Sequence, residues 1–315
     1  MSKLQLSFAS GLYDRMQALY TGEVKPDGID LNFIPIDQPR PIFDRMSGGQ
    51  EFDVSEYSLS EFTQRFTRNE CPFVAIPVFP SIAFRMGFIA INKKSGIKTP
   101  KDLEGKTLGG AVGDGALKLF PAFCKITKID CDSIKITNMA PNLREQMLMQ
   151  KQVDGVFGYV NTIRFSAMLI HVDPDKDIRF INYGDYGMDL YSNAIIVSKK
   201  LVKDNPAAVK GLIGAINHGL LDTLKDPDAA VAAVAKREPL INVKVERERL
   251  DATLKDEMNS PEIAKIGLGN VDAARLKRSI DILVNAEGLP RTPAIDEVWT
   301  SAFLPPVDDL PKKLF

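Results

Sequence analysis

The run Glu51-Phe52-Asp53-Val54-Ser55-Glu56-Tyr57-Ser58-Leu59-Ser60, followed by Phe73-Val74-Ala75-Ile76-Pro77-Val78-Phe79-Pro80-Ser81, most constrains what this chain can fold into. A buried strand ends in a polar Ser-Glu-x-Ser turn that starts a helix, and a second apolar strand follows. That order delivers polar groups to the carboxyl end of a sheet, which in open α/β sheets is where ligands sit. Strand patterns at 4–9, 30–36, 52–55, 73–79 and 86–92 alternate with helical ones at about 13–20, 40–47 and 58–68. Alternation of this kind predicts a mainly parallel sheet covered by helices.

A second α/β unit is expected to begin near Lys93. Thr99 reads as a helix cap with Pro100 at the first helical position, and the short helix ends near Gly105. Strands near 106–111, 134–138 and 153–157 and helices near 116–125, 142–151 and 161–169 complete that unit, with Pro121 predicting a kink or break. The chain is expected to return to the first unit through Leu190 to Val197. The first lobe is therefore read as 1–92 plus 190–315, and the second as 93–189. Beyond the return, helical spacing dominates at 207–224, 229–236 and 271–287, and the tail from Pro305 is expected to be extended.

Composition excludes several classes. The 315 residues carry a formal charge of −1, with Lys and Arg spread along the chain, so the basic patch of a nucleic-acid binder is missing. No stretch reaches the roughly 18 apolar residues of a membrane helix. Met1-Ser2-Lys3 runs straight into an alternating strand, which is too polar for a signal-peptide core, so the chain as written is expected to be cytoplasmic. A trimmed signal would make it periplasmic. Cys71, Cys124 and Cys131 form no C-x-x-C pair and leave one thiol over, which fits a reducing compartment.

Candidate site residues follow from position. Gly113-Asp114-Gly115 lies between a strand and a helix, where backbone N–H groups and the helix dipole favour an anion; equally, Asp114 could itself cap that helix. Ser55, Glu56 and Ser58 lie at a strand end, with Glu56 suited to accepting a ligand hydroxyl or to proton transfer, against a plainer reading in which Ser55 caps the helix and Glu56 braces the turn. Arg85 has the fork that matches a carboxylate, and an inter-strand ion pair is the competing reading. Tyr13 and Arg15 follow the first strand, as site residues or as surface caps. Tyr183, Asp185 and Tyr186 read as a polar aromatic turn at a hinge or a cleft rim. His218 sits in an apolar helical stretch and reads as a packing histidine, His171 reads as a loop residue, and neither has metal-ligand spacing to a second His or Cys. No metal ligands and no cofactor are predicted, a divalent metal being left open. There is no P-loop, G-x-G-x-x-G or G-x-S-x-G.

The same words carry a family resemblance. Tyr13-Asp14-Arg15, Gly28-Ile29-Asp30-Leu31, Phe43-x-Arg45-Met46, the Glu51 to Ser60 run and Ala75 to Ser81 with Phe84-Arg85 resemble the amino-terminal part of the 4,5-dihydroxyphthalate decarboxylase family. From about residue 95, the phrases Thr99 to Thr107, Val153 to Tyr159 and Asn205 to Val209 resemble solute-binding proteins related to thiamine-pyrimidine synthases and to the aliphatic-sulfonate binders. Both resemblances imply an α/β, two-lobed type 2 periplasmic-binding-protein fold with a ligand cleft between the lobes. They also imply Tyr159 and Asn161 as residues that stack on and orient a small ring. The implied function is a carboxy-lyase acting on a small aromatic or related carboxylate, with Glu56 and Arg85 in catalytic roles. The alternative is a binding protein that hands a small anionic or heteroaromatic ligand to an ABC permease, without catalysis. The decarboxylase pattern reads Phe-Pro-Ser-Arg-x-Phe-Arg-His where this chain has Ile82 and Met86 in place of the first Arg and the His. The cysteine cluster and paired histidines of the pyrimidine-forming relatives are absent.

Overall fold

The computed structural model describes residues 3–80, 88–259, 261–306 and 310–314. They divide into two compact units: Met1–Ala83 with Tyr191–Ile280 and Leu289–Phe315, and Phe84–Leu190 with Asp281–Gly288. The strand expected at 86–92 is found as Phe88–Asn92 and pairs within the second unit's sheet, so the boundary falls before it rather than at Lys93.

The first unit is built on strands β1 (Leu4–Ser10), β2 (Ile29–Pro35), β3 (Val54–Ser58) and β4 (Phe73–Ile76). Helices α1 (Gln17–Thr21), α2 (Pro39–Gly49) and α3 (Leu59–Thr67) connect them. The second unit holds β5 (Phe88–Asn92), β6 (Thr107–Gly110), β7 (Lys135–Asn138), β8 (Gly155–Gly158) and β9 (Ile178–Asn182), with α4 (Gly115–Thr127), α5 (Arg144–Met149), α6 (Val160–Leu169) and α7 (Pro174–Asp177). Strand β10 (Asn193–Ser198) then re-enters the first sheet. It is followed by α8 (Lys199–Asp204), α9 (Pro206–Lys225), α10 (Pro227–Arg237) and α11 (Val243–Ala252).

Both sheets are five-stranded, in the orders β2-β1-β3-β10-β4 and β7-β6-β8-β5-β9. Each is mixed, with four strands running one way and one strand against them. In the first, β10 pairs antiparallel with both β3 and β4. In the second, β5 pairs antiparallel with β8 and β9. The parallel pairs β1–β2, β1–β3, β6–β7 and β6–β8 are the ones joined through helices, as crossovers require. A strand that enters from the other unit needs no such crossover and runs the opposite way.

Each unit has its own core. In the first, Phe8, Val54, Ile76, Ile195 and Val197 of the sheet pack with Val209, Leu212, Ile213 and Ile216 of α9. In the second, Phe157 and Ile89 pack with Leu119, Phe120 and Phe123 of α4. Tyr183 is fully buried there, stacked on Phe123 at 4.0 Å between ring centroids, with its hydroxyl donating to the Ala116 carbonyl oxygen at 3.2 Å. It is a core residue, which corrects its reading as part of a rim or hinge turn. The helix expected to break at Pro121 runs unbroken from Gly115 to Thr127. Its apolar residues have no other place to bury, and that burial outweighs one lost backbone hydrogen bond.

Candidate functional site

The polar turn expected at Ser55 lies further along. Strand β3 extends to Ser58, and it is Ser58, not Ser55, that caps α3, accepting from the backbone N–H of Glu61 at 3.5 Å. The Ser58 Oγ also shares a 2.8 Å hydrogen bond with the Ser60 Oγ. β3 is a central strand, held between β1 and β10, so all of its residues are buried, Ser55 and Glu56 included. A carboxylate in that position is costly unless hydrogen-bonded.

Glu56 is 1% exposed and is met from both neighbouring strands and from the segment after β1. The β1–β3 register pairs Ala9 with Ser55, which brings Ser10 and the turn after it beside Glu56. The Ser10 hydroxyl donates to Oε2 at 3.2 Å and the Gly11 backbone N–H to the same oxygen at 3.4 Å. The Tyr13 hydroxyl lies 3.0 Å from both carboxylate oxygens. From the antiparallel side, Asn193 Nδ2 donates to Oε1 at 2.9 Å. Every one of these contacts is a donor, the arrangement a carboxylate fills, since it only accepts. The cluster stands at the carboxyl end of β1, beside the middle of β3, and the half-buried ring of Tyr13 links it to the surface.

Arg15 is buried as well, and its guanidinium is engaged inside the unit. Nε donates to the Pro80 carbonyl oxygen at 3.0 Å and Nη2 donates to the same atom, while Nη1 pairs with Asp14 at 3.2 Å. Its plane lies 4.4 Å from the Tyr13 ring centroid. Arg15 thus braces Tyr13 and the segment after β4, rather than presenting a free cation. A cavity of about 20 Å³, enough for one water, lies behind it against Met16, Phe79, Ile216 and Leu220. Arg85, the sequence candidate for pairing with a carboxylate, lies outside the described residues.

In the second unit, Gly113 adopts φ +82°, which suits glycine, and Asp114 follows as the cap of α4. The Asp114 carboxylate accepts from the backbone N–H groups of Ala116 at 2.8 Å and Leu117 at 3.4 Å, so it occupies the positive end offered by the helix. Its other oxygen pairs with Arg144 at 3.4 Å, and both side chains are less than a tenth exposed. Burial pushes the Asp114 carboxyl above the usual carboxylate range, with Arg144 pulling the other way. Gly115 opens the helix itself. Arg144 also donates to the carbonyl oxygens of Pro141 at 3.0 Å and Phe157 at 3.2 Å. A side chain at Gly158 would stand 2.7 Å from the Arg144 guanidinium, so glycine is required there by close approach. Tyr159 takes the cap position of α6 and packs partly on the core, and Asn161 in the first turn is buried. Beside Arg144, Glu145 is 4% exposed, its Oε1 finds no partner among the described residues, and burial raises its carboxyl.

Of the sequence candidates, Tyr13 and Glu56 are in direct contact, Arg15 supports Tyr13, and Asp114, Gly113 and Gly115 form one turn. Asn193, Ser10, Arg144 and Glu145 were missed. The polar pair Ser192-Asn193 directly before an apolar strand was the available signal for Asn193; Arg144 and Glu145 read as ordinary helix surface. Among the described residues no group of His, Cys, Asp and Glu could hold a metal ion. His218 is exposed, 3.8 Å from Asp222, rather than packed. Cys124 and Cys131 are joined by a disulfide, and Cys71 is the thiol left over, free and buried; the bond counts against the reducing compartment that the cysteine pattern was taken to fit. No helix among the described residues is long and apolar enough to cross a membrane.

Comparison with known proteins gives three findings. Residues 82–230 match the family model described as NMT1/THI5 like. The chain is 43% identical over 109 residues to a 4,5-dihydroxyphthalate decarboxylase of Comamonas testosteroni, covering 35% of this chain and 33% of that protein. It is 41% identical over 109 residues to one of Pseudomonas putida, covering 35% and 42%. The match therefore spans well under half the length of either curated relative. Among solved structures, the alkanesulfonate-binding protein of Xanthomonas axonopodis superposes with a TM-score of 0.66 at 13% identity, covering 95% of this chain and 98% of that one. The periplasmic aliphatic sulphonate binding protein of Escherichia coli gives 0.68 at 14%, covering 97% and 100%. Two α/β units on mixed five-stranded sheets and these superpositions together identify the fold as the type 2 periplasmic-binding-protein fold, in a chain similar in sequence to 4,5-dihydroxyphthalate decarboxylases over about a third of its length.

Proposed function

We propose that this chain is a decarboxylase-like protein that binds a small aromatic or related carboxylate and uses Glu56 with Tyr13 to handle a proton at the reacting carbon. The observation that carries this reading is the buried Glu56 carboxylate of β3, surrounded by donors beside the carboxyl end of β1. Structural carboxylates in a central strand are rare because burial is expensive, whereas a site that moves protons requires one. The sequence similarity to decarboxylases supports the same reading.

On this reading the C–C bond to the carboxylate breaks, CO₂ leaves, and the electron pair stays on carbon. A proton delivered through the Tyr13 hydroxyl, in contact with Glu56, closes the new C–H bond, and solvent restores the proton. Arg85 is the sequence candidate for holding the ligand's anionic group, and Tyr159 for lying against its ring. The test is a thermal-shift screen against aromatic carboxylates, sulfonates and pyrimidines, with and without divalent metal, with CO₂ release read on each hit. A ligand at about 100 times its dissociation constant adds roughly 2.7 kcal/mol of apparent stability. A stabilising carboxylate that is consumed supports the lyase.

The second reading is a binding protein that passes a small anionic or heteroaromatic ligand to an ABC permease. The Cys124–Cys131 disulfide favours it, since such bonds persist in oxidising compartments such as the periplasm. A ligand that is bound and recovered unchanged supports this reading instead.

A further inference from the structure

We propose that Asn193 is a specificity-determining residue that reads a hydrogen-bond donor, O–H or N–H, on the ligand next to Glu56. This rests on the reading of the Glu56 cluster as a ligand site. Glu56 can only accept, so the amide must turn Nδ2 towards it, as the 2.9 Å contact records. That leaves Oδ1 facing away from Glu56. Asn193 is 9% exposed, and its Oδ1 is buried without a partner among the described residues. The residue paired with it across the strands is Ser58, whose hydroxyl is engaged by Ser60 and by the α3 cap.

A buried acceptor left unpaired is unfavourable, and the chain places this one on the same sheet face as Glu56, which lies directly opposite Ile195, two residues along β10. Asn193 and Glu56 thus form a fixed pair in which one member holds the other and still has an acceptor to offer. A ligand group that supplies a donor satisfies that acceptor; an ether or a bare C–H does not. The recognition is therefore by chemistry at one ligand position, separate from the anionic group that the proposed function requires.

The experiment measures binding of the full chain to four matched probes: 3,4-dihydroxybenzoate, 3,4-diaminobenzoate, 3,4-dimethoxybenzoate and benzoate. Wild type is expected to prefer a donor-bearing probe over the dimethoxy probe by at least about tenfold, with the better of the hydroxyl and amino probes naming the donor. Asn193→Ala is expected to erase that preference. Asn193→Leu, of similar size with neither donor nor acceptor, is expected to erase the preference as well. Equal binding of donor and methoxy probes by wild type overturns the proposal, and so does a preference that survives in a folded Asn193→Ala. Should the Ala variant fail to fold, the wild-type ratio and the Leu variant decide alone. If no benzoate binds at all, the ligand-site reading falls and takes this inference with it; binding without discrimination sinks the inference and leaves that reading standing.

Discussion

The Tyr13 hydroxyl stands 3.0 Å from both carboxylate oxygens of Glu56, across a separation of 43 residues in the chain. One phenolic proton is thereby shared between two acceptors, and the half-buried tyrosine becomes the route by which a buried carboxylate communicates with whatever lies outside the sheet.

Replacing Glu56 separates chemistry from architecture. Glu56→Gln keeps the shape but presents an amide NH₂ to groups that are themselves donors; turnover of a decarboxylated ligand is expected to fall by about a hundredfold or more. Glu56→Ala leaves the donors of Ser10, Gly11, Tyr13 and Asn193 without their acceptor and is expected to cost about 2–4 kcal/mol in urea unfolding. Full turnover in the Gln variant would remove Glu56 from the chemistry.

Arg15→Lys tests the brace. Lysine cannot place two donors on the Pro80 carbonyl and lacks the planar face that lies on Tyr13. A loss of about 1.5–3 kcal/mol is expected, with weaker ligand binding because Tyr13 is no longer held. A variant with wild-type denaturant midpoint would show that the fork contributes nothing.

Glu145 supplies a pH prediction. Burial raises its carboxyl in the folded chain, whereas the unfolded side chain titrates near about 4.3. The folded state therefore favours the protonated form, so its relative stabilisation is complete below about pH 4.3 and disappears as pH rises through the folded value. Glu145→Gln removes the ionisation. The variant is expected to melt a few degrees higher than wild type at pH 7, with the gap closing towards pH 4. Thermal melts at both pH values check this, and a gap of the opposite sign would contradict it.

The disulfide predicts a thiol count. Denatured protein without reductant should show one reactive thiol, Cys71, and three after reduction. Closing so short a loop is worth about 2–3 kcal/mol in the chain-entropy account, so reduction should lower the melting temperature. Three thiols before reduction would show the bond does not form.

Local order was legible in the sequence where periodicity and capping chemistry decide it. Alternating strand and helix patterns located most elements, and Thr99-Pro100 marked the start of the short 3-10 turn now seen at Pro100–Leu103. Glu56 was singled out as part of a polar turn at a strand end, whereas it lies inside β3. What the sequence could not decide is which strands are neighbours. Parallel or antiparallel pairing depends on where β10 and β5 insert, and strand insertion is a long-range choice that local pattern does not encode. The same holds for Asn193, Arg144 and the Cys124–Cys131 bond. Asn193 looks like the first residue of an ordinary strand until β10 slots beside β3, and Arg144 looks like helix surface until Gly158 makes room beneath it. Sequence alone thus determined the kinds of groups and the elements that carry them. The tertiary fold decided which of those groups meet, because hydrogen bonds reach only about 3 Å and only packing brings residues far apart in the chain that close.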